Sequence, residues 1–154
     1  MFNEVIVMGT GTVAQRCALI VKEKKMKVSF LEKNNNQAIS SRHFCEIHGI
    51  SFITFFQDKE IEQHLLARKG YILIVSASNR YIFPPSLSNN NIKIMNYHGA
   101  LLPKHPGRNA ESWAIWENDT FGGITWHWVV EDVDAGEILI QKQVELDTVM
   151  TSFS

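Results

Sequence analysis

The sequence predicts an α/β fold built on a Rossmann-like sheet that is mixed but mostly parallel, with helices on both faces. In the first half of the chain, short apolar runs alternate with segments whose apolar residues recur at helical spacing. The run at residues 71–77 is apolar without alternation, which is typical of a strand buried on both faces. The last two predicted strands lie six residues apart. Because a crossover helix needs more chain than that, we expect this pair to be antiparallel.

Length and composition limit the class of protein. The chain has 154 residues, of which 45% are hydrophobic and 20% are charged, so we expect one globular domain over residues 1–154. Its 15 basic and 16 acidic side chains lack the basic excess that generic nucleic-acid binding requires. No apolar run reaches the roughly 18 residues of a membrane span, and the N-terminus lacks the pattern of a signal peptide. We therefore expect a cytoplasmic protein without a membrane or nucleic-acid partner.

Four strands and three helices are predicted in the first half. The strands are residues 4–8, 27–31, 50–54 and 71–77. The first helix follows the turn at residues 9–12 and carries apolar residues at helical spacing. We expect Asn35 or Asn36 to cap the second helix and Gly49 to end it. Asp58 is predicted to cap the third helix and Gly70 to end it.

The second half is predicted to hold one helix and three strands. The strands are residues 92–98, 122–130 and 137–146, and the helix is residues 109–118. Trp113 and Trp116 share a face of that helix, and we expect them to pack in the core. Asp147 and Thr148 have the pattern of a further helix N-cap, yet only a turn or two of chain follows. We expect either that a C-terminal helix is missing or that this chain is a piece of a longer protein.

A glycine turn joins the first predicted strand to the first helix. Gly9-x-Gly11-x-x-Ala14 has the spacing of the dinucleotide fingerprint, and Glu32 lies 21 residues after Gly11, at the end of the next strand. Such a turn brings backbone N–H groups to a pyrophosphate while the acid binds a ribose hydroxyl. Close packing of a strand and a helix also favours glycine. Three interpretations stay open: a dinucleotide site, contacts to another phosphate or ligand, and packing alone.

A second polar group follows the predicted strand at residues 92–98. Asn96 and His98 lie two residues apart at its carboxyl end, where open α/β sheets bind ligands, and their side chains point to the same side. Histidine can act there as acid or base, and asparagine as a hydrogen-bond donor to the same reacting atom. Asp134 lies in the loop between the last two strands. If that loop reaches the same sheet edge, its carboxylate can orient the imidazole and stabilise its positive charge.

Three stretches of this sequence resemble the folate-dependent formyltransferases. They are NYHGALLP at residues 96–103, GITWHWV at 123–129 and DAG at 134–136, the last beginning 36 residues after His98. The resemblance is close over residues 92–146 and covers the Rossmann-like half in outline. It is closest to the amino-sugar N-formyltransferases and the formylation domains of peptide synthetases. Two features depart from the family: Ala100 replaces a serine that many members carry, and family catalytic domains continue through a further helix.

The resemblance implies transfer of a formyl group from N10-formyltetrahydrofolate to a primary amine of a small molecule. Asn96, His98 and Asp134 would be catalytic, with Asn96 and His98 stabilising a tetrahedral intermediate and Asp134 assisting. The implied donor-binding residues are Arg80, Tyr81, Ile82, Phe83, Val130, Glu131, Asp132 and Val133. The expected acceptor-binding residues are His127 and the turn Gly9, Thr10, Gly11 and Thr12, which could hold an acceptor phosphate.

Other functions stay open on sequence alone. An NAD-binding oxidoreductase module would use Gly9, Gly11 and Glu32, and a truncated folate-binding domain would bind without catalysing. The spacing of His105 and His127 matches no compact zinc motif, so no metal is expected. Residues 104–110 resemble the sugar and peptide-synthetase branches of the family more than its purine branch, which implies an amino sugar or an aminoacyl or peptidyl amine as the acceptor. The near-neutral charge disfavours transfer RNA. An oligomer is compatible with the sequence.

Overall fold

A computed structural model describes residues 1–34, 40–87, 91–147, 149 and 151. Within these ranges the elements are, in chain order, β1 (Glu4–Gly9), α1 (Gly11–Glu23), β2 (Val28–Lys33), α2 (Arg42–His48), β3 (Ser51–Phe55), α3 (Asp58–Leu66), β4 (Ile72–Ala77), β5 (Ile92–His98), α4 (Ala110–Trp116), β6 (Phe121–Trp128) and β7 (Ile138–Glu145). These strands belong to one sheet in the order β3-β2-β1-β4-β5-β6-β7. The predicted class, an α/β fold with a mixed but mostly parallel sheet, is confirmed.

The chain divides into two compact units, Met1–Met95 and Asn96–Ser154. In the first unit, β1 pairs in parallel with β2 and with β4, and β2 pairs in parallel with β3. Every residue of β1 is buried, as expected for a central parallel strand covered by helices. Gly9, at the end of β1, lies opposite Ala77 of β4, so the glycine turn leaves the sheet where these two strands end.

The second helix is shorter than the sequence predicts. It begins at Arg42 after the N-cap residue Ser41. Asn35 and Asn36, the predicted caps, lie outside the described residues. Gly49 ends the helix as predicted, with the left-handed φ of 58° that favours glycine at this position.

The third helix also differs at both ends. Its N-cap is Gln57 rather than Asp58, because the Glu60 carboxylate reaches back to accept the Gln57 N–H at 3.1 Å. The helix ends at Leu66, before the predicted stop at Gly70. Gly70 instead turns the chain toward β4 with a backbone φ of 87°, a conformation that residues other than glycine rarely adopt.

In the second unit, β6 and β7 form the antiparallel pair that the short connection predicts, with an irregularity between Trp126 and His127. Helix α4 buries its alanines, Ala110 and Ala114. Trp113 and Trp116 are 51% and 80% exposed, so the prediction that they pack in the core is wrong. Helical periodicity shows which residues share a face, but not which face the fold buries.

Two further expectations concern a C-terminal helix and membrane-spanning segments. Thr148, Met150 and Phe153, part of the predicted terminal helix, lie outside the described residues. Among the helices that the structure describes, each is too short or too polar to cross a membrane.

Candidate active site

The two polar residues at the end of β5 lie in the second unit together with the aspartate loop. Asn96 is half-buried, and His98 is 5% exposed. The Asn96 Nδ2 atom lies 3.4 Å from His127 Nε2, and His98 Nδ1 lies 3.4 Å from Asp134 Oδ2. The structure therefore brings the three residues predicted to be catalytic into one cluster, with His127 as a fourth member.

Asp134 is the centre of this cluster. Its Oδ2 atom accepts the Gly107 N–H at 2.7 Å, and its Oδ1 atom lies 3.3 Å from His127 Nε2. Burial alone would raise the pKa of this carboxyl, but hydrogen bonds from His127 and Gly107, and the charges of His98 and His127, lower the pKa below its ordinary value. Asp134 is therefore a carboxylate that faces two imidazoles.

His98 has a protein partner at each ring nitrogen. Its Nε2 atom lies 2.7 Å from the backbone carbonyl oxygen of His105. Because a carbonyl oxygen only accepts, Nε2 carries the proton of this hydrogen bond. Its Nδ1 atom faces Asp134 at 3.4 Å, which is longer than a good hydrogen bond. The ring is thus oriented through Nε2, and Nδ1 faces the Asp134 carboxylate.

His127, on β6, is 2% exposed. Its Nδ1 atom donates to the Trp128 carbonyl oxygen at 2.9 Å, which turns Nε2 toward Asp134. Burial lowers the pKa of His127, but the hydrogen bonds to Asp134 and to the Trp128 carbonyl raise the pKa above its ordinary value. The structure places His127 as a second imidazole on Asp134, with little surface for direct contact with an acceptor. Its predicted role in acceptor binding stays a prediction.

The loop at residues 103–109 contacts both members of the His98–Asp134 pair through backbone atoms. The His105 carbonyl oxygen accepts from His98, and the Gly107 N–H donates to Asp134. Gly107 has a left-handed φ of 87°, which favours glycine. Sequence reasoning missed both contacts because backbone groups belong to every residue, and only the glycine marks the loop.

Asp119, just before β6, contacts the same loop through side chains. Its Oδ2 atom lies 2.7 Å from His105 Nε2, and its Oδ1 atom accepts from Lys104 Nζ at 2.9 Å. The hydrogen bonds from His105 and then from Lys104 lower the pKa of Asp119. Ligand atoms of His105, Glu117 and Asp119 lie within 4.8 Å of one another, as a metal site requires. The Lys104 ammonium already supplies a positive charge at this carboxylate.

The glycine turn lies in the first unit, at the carboxyl ends of β1, β2 and β4. It borders a cavity of about 130 Å³ that is lined by Gly9, Thr10, Lys33, Ser78, Asn79 and Arg80. A Cβ atom at Gly9 would overlap the carbonyl oxygen of Ala77, so close packing against β4 explains this glycine. Gly11 has a left-handed φ of 72° and open space where a side chain would stand. Packing therefore explains the first glycine, whereas the second leaves room beside the start of α1.

Glu32, the acidic residue of the dinucleotide pattern, has a partner inside the protein. It is 5% exposed, and its Oε2 atom accepts the Ser41 N–H at 2.8 Å. The Ser41 hydroxyl in turn accepts from Gln15 Nε2 at 3.2 Å. These contacts hold the backbone where α2 begins. Because the carboxylate is buried and bound to an internal donor, the structure does not favour the NAD-binding interpretation.

The first predicted donor-binding segment, residues 80–83, follows β4. Tyr81 is buried, and its ring packs edge-on against Phe83 with centroids 5.2 Å apart. Burial, and then the nearby charges of Glu62 and Asp58, raise the pKa of Tyr81 to about 12, so its hydroxyl stays protonated. Ile82 is 73% exposed and Arg80 is exposed. The exposure of Ile82 argues against the alternative that this side chain only packs beneath the turn at Pro84 and Pro85.

The second predicted donor-binding segment, residues 130–133, follows β6. Val130 and Val133 are 45% and 69% exposed, and Glu131 and Asp132 between them are exposed as well. Single exposed apolar residues are common on protein surfaces, so their exposure alone does not identify a binding site. Contact of either segment with a ligand stays a prediction.

Comparison with known proteins identifies relatives. A family model described as formyl transferase matches residues 4–153. Over 138 residues the chain is 39% identical to the human trifunctional purine biosynthetic protein adenosine-3, a match that covers 86% of this chain and 13% of that protein. The chain spans less than half the length of the first curated relatives that it matches.

Solved structures share the fold. Phosphoribosylglycinamide formyltransferase from Bacillus halodurans has a TM-score of 0.76 and 24% identity, over 97% of this chain and 84% of that one. The sugar 3N-formyl transferase WlaRD, solved in the presence of dTDP and 5-N-formyl-THF, has a TM-score of 0.76 and 17% identity, over 96% of this chain and 53% of that one. At these identities the likeness concerns the fold.

Proposed function

The chain belongs to the formyl transferase family, and on that premise we propose that it transfers a formyl group from N10-formyltetrahydrofolate to a primary amine of a small molecule. One observation carries the proposal: Asn96, His98 and Asp134 meet in one cluster although Asp134 lies 36 residues from His98 in the sequence. Such a cluster offers a hydrogen-bond donor, an imidazole and a carboxylate at one place, which acyl-type transfer requires.

The proposed reaction begins with attack of the amine nitrogen on the formyl carbon. A C–N bond forms, negative charge builds on the formyl oxygen, and the Asn96 amide and the protonated His98 ring stabilise that charge. The bond from the formyl carbon to the folate nitrogen then breaks. One proton leaves the attacking nitrogen and one reaches the departing folate nitrogen, so the products are a formamide and tetrahydrofolate.

Asp134 assists this proton movement in the proposed mechanism. Its carboxylate faces His98 Nδ1 at 3.4 Å and has a lowered pKa, so it is ionised and stabilises a positive imidazole. In the proposed mechanism, Nδ1 is the His98 nitrogen that exchanges a proton, either directly or through a water. The Nε2 atom of His98 is held by the His105 carbonyl and keeps its proton.

We assign donor binding to two segments, one in the first unit and one in the second. In residues 80–83 the exposed Ile82 offers apolar surface, supported by the buried Tyr81. In residues 130–133 the exposed Val130 and Val133 do the same. Apolar surface with backbone hydrogen-bonding groups nearby suits a flat heterocycle such as a pterin. A structural neighbour was solved with 5-N-formyl-THF, which supports the class of donor.

Acceptor binding is assigned to the glycine turn of the first unit. Its cavity is lined by the cationic side chains of Arg80 and Lys33, of which Lys33 has its Nζ atom 2.6 Å from Asp58 Oδ1. The turn leads into the start of α1. Gly11 and Thr12 are exposed there, and the Thr10 hydroxyl donates to the Ser78 carbonyl at 3.2 Å. Cations and helix N-terminal amides favour an anion. A nucleotide-linked amino sugar is therefore the preferred acceptor, and an aminoacyl or peptidyl amine is the competitor.

The test is a transfer assay with defined acceptors. The chain is incubated with N10-formyltetrahydrofolate and, separately, a nucleotide-linked amino sugar, a glycinamide ribonucleotide and an aminoacyl amide, and formylated product is detected by mass spectrometry. We expect the nucleotide-linked amino sugar to be formylated by the wild type and not by Asn96→Ala. Formylation of the glycinamide ribonucleotide alone would reassign the acceptor to a ribonucleotide amine. Formylation of the aminoacyl amide alone would reassign the acceptor. Equal product with wild type and Asn96→Ala would contradict the proposed active site.

A further inference from the structure

The His105 carbonyl is the group that orients His98, so whatever fixes this carbonyl fixes the imidazole. It accepts from His98 Nε2 at 2.7 Å. The histidine is 5% exposed, which keeps water from replacing this acceptor readily. In a catalytic histidine, the partner of one ring nitrogen decides which tautomer is present and which nitrogen exchanges a proton. The position of residue 105 therefore bears directly on the proposed chemistry at His98.

His105 itself has an unusual backbone conformation. Its φ is 51°, in the left-handed region that residues other than glycine adopt uncommonly. This conformation aims the carbonyl at His98 while the side chain goes elsewhere. A backbone held in such a region needs contacts that maintain it.

Asp119 provides that contact. Its Oδ2 atom lies 2.7 Å from His105 Nε2, with the two side chains 12% and 9% exposed. Asp119 is in turn held by its own backbone, since its N–H donates to the Ala114 carbonyl of α4 at 2.9 Å. The anchor therefore runs from α4 through Asp119 to the ring of His105, and from the His105 carbonyl to His98.

We propose that Asp119 and His105 form a positioning pair for His98: the pair holds the His105 carbonyl on Nε2 and so makes Nδ1, beside Asp134, the nitrogen that exchanges a proton. The loop also donates the Gly107 N–H to Asp134 at 2.7 Å, so one loop orients both the imidazole and its carboxylate. The kinetic consequence rests on the proposed formyl transfer. The effect on the His98 ring does not.

Lys104 offers a matched control within the same cluster. It contacts the other oxygen of Asp119, Oδ1, at 2.9 Å, and its side chain is 64% exposed. Within the part of the chain that the structure describes, the Lys104 side chain forms no hydrogen bond or ion pair with His98 or Asp134. Lys104→Ala therefore removes a partner of Asp119 and leaves the contact between Asp119 and His105 in place.

The first arm of the test is nitrogen-proton correlation NMR of the histidine side chains in the full chain. In the wild type we expect a protected Nε2 proton on His98, assigned by its loss in His98→Ala. Asp119→Ala should remove that protection, and Lys104→Ala should retain it. A His98 ring with the same protected Nε2 proton in Asp119→Ala and wild type would overturn the proposal.

The second arm is kinetic. We expect Asp119→Ala to lower kcat about tenfold, the scale at which loss of an outer orienting partner acts, without raising KM for donor or acceptor. Lys104→Ala should keep the wild-type kcat. If Asp119→Ala does not fold, His105→Leu replaces it, because leucine lacks the ring nitrogen that reaches Asp119 and does not favour a left-handed φ. Wild-type kcat and an unchanged His98 signal in His105→Leu would equally overturn the proposal.

The two arms separate failure of this proposal from failure of the proposed function. If the wild type transfers no formyl group, the proposed function fails, and the NMR arm still decides whether Asp119 and His105 orient His98. If the wild type is active and both variants match it in kcat and in the His98 signal, the positioning pair is wrong while formyl transfer stands.

Discussion

The glycine turn of the first unit and the histidine–aspartate cluster of the second are both predicted from residue spacing, yet the structure gives them different characters. In the first unit, two residues of the dinucleotide pattern have a local structural reason: Gly9 meets the Ala77 carbonyl, and Glu32 binds the Ser41 N–H. In the cluster, Asp134 is shared by two imidazoles and by a backbone N–H from a distant loop.

The comparison teaches how to separate a structural motif from a chemical one. Packing explains a residue through its immediate neighbours, as it does for Gly9. Convergence of ionisable groups from separate elements, with burial that shifts their pKa values, is costly for a fold and is a mark of functional sites. Burial alone would lower the pKa of His127 and raise that of Asp134. The net shifts have the opposite direction, since each group stabilises the charged form of the other.

The largest expected effect is on turnover. His98→Ala should lower kcat for formyl transfer about 10²-fold to 10⁴-fold, because the ring supplies charge and a proton in the transition state, and donor affinity should change little. Steady-state kinetics and donor titration measure both. The control is His43→Ala, whose side chain is 84% exposed. Near-normal kcat in His98→Ala would place the chemistry outside the cluster.

The next effect is on stability and tests the structural side of the comparison. Gly9→Ala should destabilise the fold by about 3 kcal/mol or more, since the new Cβ overlaps the Ala77 carbonyl in a left-handed backbone. Gly11→Ala has open space and should cost only about 1 kcal/mol through its φ of 72°. Urea denaturation compares the two variants. Equal losses would mean that packing does not distinguish these glycines.

A smaller effect is expected at Glu32. Glu32→Ala removes the acceptor of the buried Ser41 N–H and should cost about 1–3 kcal/mol. Glu23→Ala, at the exposed end of α1, is the control. Denaturation midpoints with equal m-values measure the difference. If Glu32→Ala is as stable as the control, the fold does not need Glu32, and this residue would instead be available for a role in ligand binding.

The smallest effect concerns ionisation of His127. Asp134→Asn should lower the pKa of His127, because the carboxylate that opposes the effect of burial is gone. In the wild type, the raised pKa of His127 stabilises the fold below its ordinary value near 6.5 and this contribution is lost as pH rises through the folded-state pKa.

The pair of His127 and Asp134 also loses part of its contribution to stability at acid pH. The lowered pKa of Asp134 contributes stability above its ordinary value of 3.8, and this contribution is lost as pH falls through the folded-state pKa. NMR titration of the His127 ring in both proteins checks the direction. A His127 pKa that does not fall in Asp134→Asn would show that Asp134 is not its main charge partner.

Sequence reasoning reached the fold and the three central residues for definable reasons. Strand periodicity and the short β6–β7 connection are local, and Asn96, His98 and Asp134 carry recognisable side chains. The start of α2 at Arg42 depends on a tertiary contact from Glu32 to Ser41, which no local pattern contains. The His105 carbonyl, the Gly107 N–H and the anchor at Asp119 were beyond reach for the same reason.

The central claim is that this chain binds a formylated folate rather than a dinucleotide. The most direct test is calorimetric titration of the purified chain with 5-formyltetrahydrofolate, a stable stand-in for the donor, with NAD titrated in parallel. The account predicts saturable binding of the folate, weakened by Ile82→Asp, and no binding of NAD. Saturable binding of NAD without binding of the folate would contradict it.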